Sequence, residues 1–477
     1  MNRERGLILL SVLALIVCGC RDPSVPKGTD DTSSGSSTAT ASTSATSTSV
    51  PDLATGSTDA SSTGSTAICG DGIVSGDELC DGGALAGQPC PESCRFAPGE
   101  TLWEVEVDYE GVTDGPRAVK CSADNQATIG GEAGREAGGT YAAFLIIGDD
   151  GDVEVKAAVS PAPEGSGSFN AVALAGNGAV AAGQRDNEAW VVRLSATGEV
   201  VWEDVFVGEP SGTEFFGNAA HVLEDGRFEF AVGIGLADST VVGYLLRYSP
   251  AGERTATIEL EAPPDPDTMV SWLASLDVTP APDAGYILSG GISLGSGFDA
   301  YVARRDADHQ TLWDAFLDSP EDPDLDVAHP VAIDGAGSVF VGMGYRPVGE
   351  LDDIRVVKYS PEGDELWHID HAGQYGRSDI PTGLAVNESG AVFVHGRIAN
   401  DDAPQPFDDY DMWLARYSAD GELEWESEWD GGGAGDGTYS WDDAGPIAVC
   451  PDGTLSVTGS TYRVETGSDV LVRRLAP

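Results

Sequence analysis

The chain has 477 residues, with 79 acidic against 25 basic side chains and a formal charge of -54. That charge repels nucleic acid and anionic lipid headgroups, and it excludes DNA or RNA as a partner. Lysine is confined to Lys27, Lys120, Lys156 and Lys358, a scarcity that fits a salty habitat or divalent-cation binding without choosing between them. At 41% hydrophobic, the sequence can bury a sizeable core, most simply in one large domain.

Residues 1–20 read as an export signal. Arg3 and Arg5 precede an apolar run from Gly6 to Val17, which is too short to span a bilayer. The run closes on Val17-Cys18-Gly19-Cys20, which resembles a lipobox, with small Gly19 before the candidate lipidation site Cys20. Bulky Val17 would precede Cys18, which fits that role less well. The alternative is an ordinary cleaved signal ending near Gly19, and on either reading the chain leaves the cytoplasm. Residues 21–66 are mostly Ser, Thr, Ala, Gly and Asp and offer no apolar periodicity, so a disordered tether is expected, spanning roughly 40 Å on average.

Residues 67–97 hold Cys69, Cys80, Cys90 and Cys94. In an oxidising compartment this grouping points to two disulfides rather than a zinc site, and three pairings are open. The stretch Cys69-Gly70-Asp71-Gly72-Ile73-Val74-Ser75-Gly76-Asp77-Glu78-Leu79-Cys80-Asp81-Gly82-Gly83 resembles the cysteine-rich repeat common in exported proteins of myxobacteria. It departs from that family in having a single copy, and in Gly82-Gly83 where the repeat usually carries Asp and Asn. The resemblance implies a small stapled spacer. Cys121 and Cys450 stand near equivalent places on neighbouring inner strands, where Cα separation beyond about 7 Å would prevent a bridge. Two buried free thiols are the expectation there.

From residue 98 onward the chain repeats. Trp190-Val191-Val192-Arg193-Leu194-Ser195-Ala196-Thr197-Gly198-Glu199-Val200-Val201-Trp202 reads as a strand, a glycine turn and a second strand reaching Trp. The pattern returns at Tyr359 to Trp367 and at Tyr417 to Trp425. Weaker copies centre on Gly151, Gly252 and Asp308, the first two with Val155 and Ala256 in place of Trp. A second hairpin pattern lies between these and begins near Ala118, Asn170, Asn218, Trp272, Pro330, Gly383 and Pro446. Two hairpins make a four-stranded blade, and the spacing is near kelch length.

Seven inner hairpins meet six complete outer ones, and the chain stops halfway through the seventh at Asp469 to Pro477. Gly99-Glu100-Thr101-Leu102-Trp103-Glu104 repeats the pattern of Gly198 to Glu203 and supplies the missing outer strand. The expected fold is therefore all-β: a seven-bladed β-propeller over 98–477, closed by N- and C-terminal strands in one blade and leaving no open ring edge. The repeats resemble the propellers of myxobacterial surface lipoproteins and, more distantly, the tryptophan-docking repeats of quinoprotein dehydrogenases and of the outer-membrane assembly lipoprotein. They carry Arg-Leu-Ser or Arg-Tyr-Ser where the quinoprotein motif has Ala-x-Asp, and they number seven rather than eight.

No catalytic residue is assigned. His221, His309, His329, His368, His371 and His395 fall at different phases of the repeat. His368 and His371, three apart on a strand, face opposite sides, so shared metal ligation is not expected. No Gly-x-Ser-x-Gly elbow, His-Glu-x-x-His helix or phosphate loop is present. The acidic loops Asp318 to Asp326 and Asp401 to Asp411 offer oxygen donors suited to calcium, yet solvated acidic loops are the plainer reading; no metal or other cofactor is assigned. These readings point to a noncatalytic outer-membrane or cell-surface lipoprotein, anchored in the membrane through Cys20, whose propeller binds a protein or polysaccharide. An enzyme on the same scaffold, either a quinoprotein-like oxidoreductase or a polysaccharide lyase or hydrolase, is the competing class.

Overall fold

The structure, a computed structural model, describes residues 80, 84–86, 88–109, 113–135, 138–160, 165–186, 188–208, 214–223, 225–235, 241–260, 276–281, 285–293, 298–317, 328–347, 351–373, 378–399, 410–430, 442–463 and 467–477. Cys20, the tether and Cys69 lie outside the described residues.

Seven four-stranded antiparallel sheets form the blades, and the described elements are all strands. Blades 1 to 6 span 114–159, 167–206, 214–260, 276–317, 328–371 and 380–429. Blade 7 combines Asp443–Val449, Leu455–Arg463 and Gly467–Leu475 with an outer strand, Thr101–Val107, from the other end of the domain. The inner strands touch in cyclic order, and that of blade 7 meets that of blade 1. The ring is closed as its sequence anticipates.

The inner strand bulges near its start in six blades, for instance between Phe169 and Ala171 and between Pro381 and Gly383. Such an extra residue increases local twist, which suits strands crowded round an axis. In blade 4 the described part of the inner strand, Leu276–Pro280, pairs without a register shift, and Trp272 lies outside the described residues.

Packing between blades follows directly from the repeat. In five blades an outer-strand Trp stands opposite a cation on the third strand: Arg193 with Trp202, Arg304 with Trp313, Lys358 with Trp367, Arg416 with Trp425 and Arg474 with Trp103. The indole then covers the turn glycine of the next blade. A Cβ built on Gly363 would lie 2.6 Å from the Trp313 ring, and φ there is +94°, so both the contact and the left-handed backbone require glycine. Indole Nε1 donates to the Pro361 carbonyl of the same turn at 3.0 Å, and Arg304 Nη1 donates to that carbonyl at 3.0 Å. Lys358 and Trp367 converge likewise on the Ala419 carbonyl. Trp103 extends the chain of contacts across the closure to Gly151.

The described part of the cysteine-rich module docks on the ring. Cys80 and Cys90 are bridged with a Cα separation of 5.7 Å, and Cys94 is disulfide-bonded as well. Cys80 and Ala86 join the cluster containing Leu102, Trp103 and Tyr109, with Phe96 packed against it. Leu102 is 4% exposed, whereas Val201, Leu312 and Leu366 at the matching place on other outer strands are 62%, 53% and 54% exposed. The module thus shields an apolar position that other blades leave open, rather than acting as a free spacer.

Cys121 and Cys450 are not free thiols. They form a disulfide with a Cα separation of 5.0 Å. The two are offset by one residue: Cys121 ends its inner strand, whereas Cys450 follows Val449 and begins the turn. That offset accompanies the bridge across the seam between blades 7 and 1, whose inner strands are in contact.

Candidate functional site

Antiparallel order divides the ring into two ends. The inner-to-second and third-to-outer connections are mostly tight turns at one end. The second-to-third and blade-to-blade connections emerge at the other, which carries the longer segments. Functional variation in repeat folds concentrates on such loops.

At the loop end, carboxylates recur at equivalent positions. Asp108 after the outer strand of blade 7, Asp114 at the start of blade 1 and Asp469 at the start of a third strand each offer one oxygen within 4.8 Å of the others. Asp430, Asp442 and Asp411 occupy the same three places one blade earlier and meet the same limit. Between blades 5 and 6 the pattern keeps Asp353 and Asp379 but has Ala372 in the remaining place.

These carboxylates hold backbone. Asp114 accepts from the Tyr109 N–H at 2.7 Å and the Gly134 N–H at 3.1 Å. Asp379 accepts from Gly373 N–H at 2.5 Å and Ala399 N–H at 2.9 Å. Each therefore clasps the segment entering its blade to the end of the second strand. Burial raises the carboxyl pKa of both to about 6, opposed by these N–H donors and reinforced by Asp108 and Asp469 around Asp114, and by Asp353 and Glu428 around Asp379.

Beside Asp114 a cleft of about 170 Å³ opens between blades 1 and 7, lined by Thr113, Asp114, Arg117, Glu132, Asp443 and Ser460 among others. Arg117 Nη2 contacts Glu132 Oε1 at 2.6 Å, and Arg397 Nη1 contacts Asp443 Oδ1 at 3.1 Å. The recess is polar, with charges of both signs set round it.

The histidines occupy separate environments. His368 bonds exposed Glu365 at 2.7 Å, while His371 on the opposite face stacks on Trp413. His395 is fully buried, and its Nδ1 lies 2.7 Å from the Gly445 carbonyl. Burial lowers its pKa to about 4, so the ring is neutral and Nδ1–H is the donor. His309 takes the glycine place in the blade 4 turn at φ +66°. Among the described residues no two histidines share a metal-binding cluster.

Of the acidic loops singled out in the sequence, Asp318, Glu321, Asp322, Asp324 and Asp326 lie outside the described residues, as do Asp401, Asp402, Asp408 and Asp409. Asp411 alone is described, as a member of the blade 6 cluster. The clusters themselves escape a search for short motifs because each draws on three separated segments. Their signal is the aspartate recurring where third strands begin, at Asp299, Asp353, Asp411 and Asp469.

The molecule is a closed seven-bladed β-propeller with a polar recess at its loop-bearing end. No protein-family model and no curated protein matches the chain. Among solved structures, it is similar to a catalytically inactive virginiamycin B lyase from Staphylococcus aureus at 10% identity and TM-score 0.46, covering 78% of this chain and 99% of the other. A Dyadobacter fermentans protein of unknown function matches at 13% identity and TM-score 0.43, with 67% and 99% covered. Polysaccharide lyase Uly1 matches at 8% identity and TM-score 0.43, with 76% and 89% covered. Similarity at this level carries no argument about activity.

Proposed function

We propose that this protein is a noncatalytic binding or scaffold module, exported and held at the outer membrane or cell surface by lipid on Cys20. Its loop-bearing end engages a protein or polysaccharide that is neutral or positively charged. The supporting observation is the cleft between blades 1 and 7. Arg117 is paired with Glu132, Asp443 with Arg397, and Asp114 is bound to two backbone N–H groups. Side chains so engaged suit recognition by a fixed polar surface better than proton transfer or nucleophilic attack. The -54 charge selects against polyanions through long-range repulsion.

The test immobilises the full chain and challenges it with neutral, cationic and anionic polysaccharides and with cell-surface protein extract. Retention of a neutral or cationic polymer or of one protein, weakened by Arg117→Ala without a change in melting temperature, is the expected result. Release of shortened or unsaturated sugar products from a retained polymer would overturn the noncatalytic reading.

A further inference from the structure

The bridge between Cys121 and Cys450 sits in an environment that its neighbours at the seam make chemically unequal. Arg474, fully buried, donates from Nη1 to Cys450 Sγ at 2.9 Å and to Thr454 Oγ1 at 3.0 Å, while its Nη2 donates to the Asn125 carbonyl at 2.5 Å. Thr454 belongs to blade 7 and Asn125 to blade 1, so the guanidinium is fastened from both sides of the seam. Burial lowers the pKa of the guanidinium, partly offset by Asp452 and Asp149. Trp103 lies 5.3 Å from the cation. Cys450 is 2% exposed, whereas Cys121 is partly exposed.

We infer that this bridge is a directional thiol-exchange site, at which a small-molecule thiol attacks Cys121 and releases Cys450 beside Arg474, unlocking the ring. Two separate features set the direction. The sulfur of Cys121 belongs to the more accessible residue, and exchange favours departure of the thiol with the lower pKa. A guanidinium at hydrogen-bond distance lowers that pKa for Cys450.

The step balances without another reagent. The incoming thiol loses its proton to solvent, and its sulfur forms a bond to Cys121 Sγ. The Cys121–Cys450 bond breaks, and its electron pair leaves on Cys450 Sγ as a thiolate facing Arg474. The product is a mixed disulfide on Cys121. A second thiol attacks the outer sulfur of that mixed disulfide, frees Cys121 and completes the two-electron reduction. Until then the Cys450 thiolate can attack Cys121 Sγ and expel the first thiol, restoring the lock. The reductive opening leaves the ring closed only by the hydrogen bonds and packing that join Thr101–Val107 to the rest of blade 7.

A brief exposure of the folded full chain to reduced glutathione, quenched with acid, then capped with N-ethylmaleimide and mapped by mass spectrometry, tests the direction. Glutathione on Cys121 and maleimide on Cys450 should exceed the converse by about tenfold or more. Equal labelling, the converse pattern, or an unreacted bridge while Cys80–Cys90 opens would overturn the inference. Arg474→Gln should erase the preference. Should that variant fail to fold, Cys121→Ser leaves Cys450 as the seam thiol, and its thiolate absorbance near 240 nm gives the titration midpoint directly. A midpoint below the ordinary value of about 8.5 supports the assignment, and one at or above it overturns it.

Discussion

The two ends of the ring are built on different chemistry from the same blades. At the turn end an indole, a cation and a glycine turn recur from blade to blade, as with Trp313, Arg304 and Gly363. At the loop end aspartates recur, but they gather from three segments, and burial, reinforced by Asp108 and Asp469, raises the pKa of Asp114. The first set gains stability from dense packing and from hydrogen bonds to turn carbonyls such as those of Pro361 and Ala419. The second holds like charges close together where the blade-to-blade connections emerge. Dense packing and crowded carboxylates thus fall at opposite ends.

The greatest effect should come from breaking a turn-end contact. Gly363→Val adds a branched side chain where even a Cβ would meet Trp313 at 2.6 Å and where φ is +94°. Trp313→Ala removes the other half of the contact and should destabilise the fold by about 3–5 kcal/mol. Urea unfolding would report both as lowered midpoints. A comparable loss from a loop-end substitution such as Arg117→Ala, whose partner Glu132 is partly exposed, would contradict the division between the ends.

Next in size is the covalent closure. Replacing Cys121 and Cys450 together by Ser should lower stability by about 2–4 kcal/mol, because the bridge restricts the unfolded chain over a sequence separation of 329 residues. Removing Cys80–Cys90, which are 10 residues apart, should cost less on the same entropic ground. Differential scanning calorimetry of the two double variants ranks them, and an inverted order would place more of the ring's stability in the docked module than in the seam.

The turn end was legible in sequence because its determinants are local: Gly363 and Trp367 lie within one hairpin, and the same spacing returns at Gly421 and Trp425. Ring closure was legible for the same reason, since Gly99 to Glu104 repeats that hairpin. The loop-end clusters were not, because Asp108, Asp114 and Asp469 meet only once the ring has closed. The Cys121–Cys450 bridge depended on a one-residue offset at a strand end, which repeat spacing does not resolve. Docking of the cysteine-rich module was hidden because Leu102 matches the exposed Val201 and Leu312 in its own blade pattern.

The loop end should reveal itself through pH. Asp114 and Asp379 have folded pKa values of about 6 against an ordinary value of 3.8, so between those limits the folded state holds more protons than the unfolded one. Stability associated with these groups is lost as pH rises through about 6 and regained as pH falls. The melting temperature should therefore rise by a few degrees from pH 7 to pH 5. Asp114→Asn and Asp379→Asn should flatten that slope. Each amide keeps one carbonyl acceptor for the two backbone N–H groups, so a modest loss at pH 5 is expected alongside. A wild-type melting temperature that falls over this interval would mean that ion pairs such as Arg355 with Asp370 outweigh the buried carboxyls.

The smallest effect concerns blade 4, where the indole and the glycine are missing together. Ala256 replaces the Trp of blade 3, and the following turn has His309 at φ +66° instead of glycine. Without an indole above it, the turn must satisfy only the backbone, and it accepts a side chain at some conformational cost. His309 recovers part of that cost through Tyr286, whose hydroxyl lies 3.2 Å from Nδ1. His309→Gly should relieve the left-handed strain and forfeit the hydrogen bond, two terms of about 1 kcal/mol that nearly cancel. Ala256→Trp alone should be destabilising, because at the other turns the indole lies against a glycine with no side chain, as Trp313 does on Gly363. Adding His309→Gly should rescue it, and thermal melts of the two single variants and the pair measure the coupling directly. Additive effects would show that the turn residue and the indole are independent, and that glycine recurs at the other turns for its backbone freedom alone.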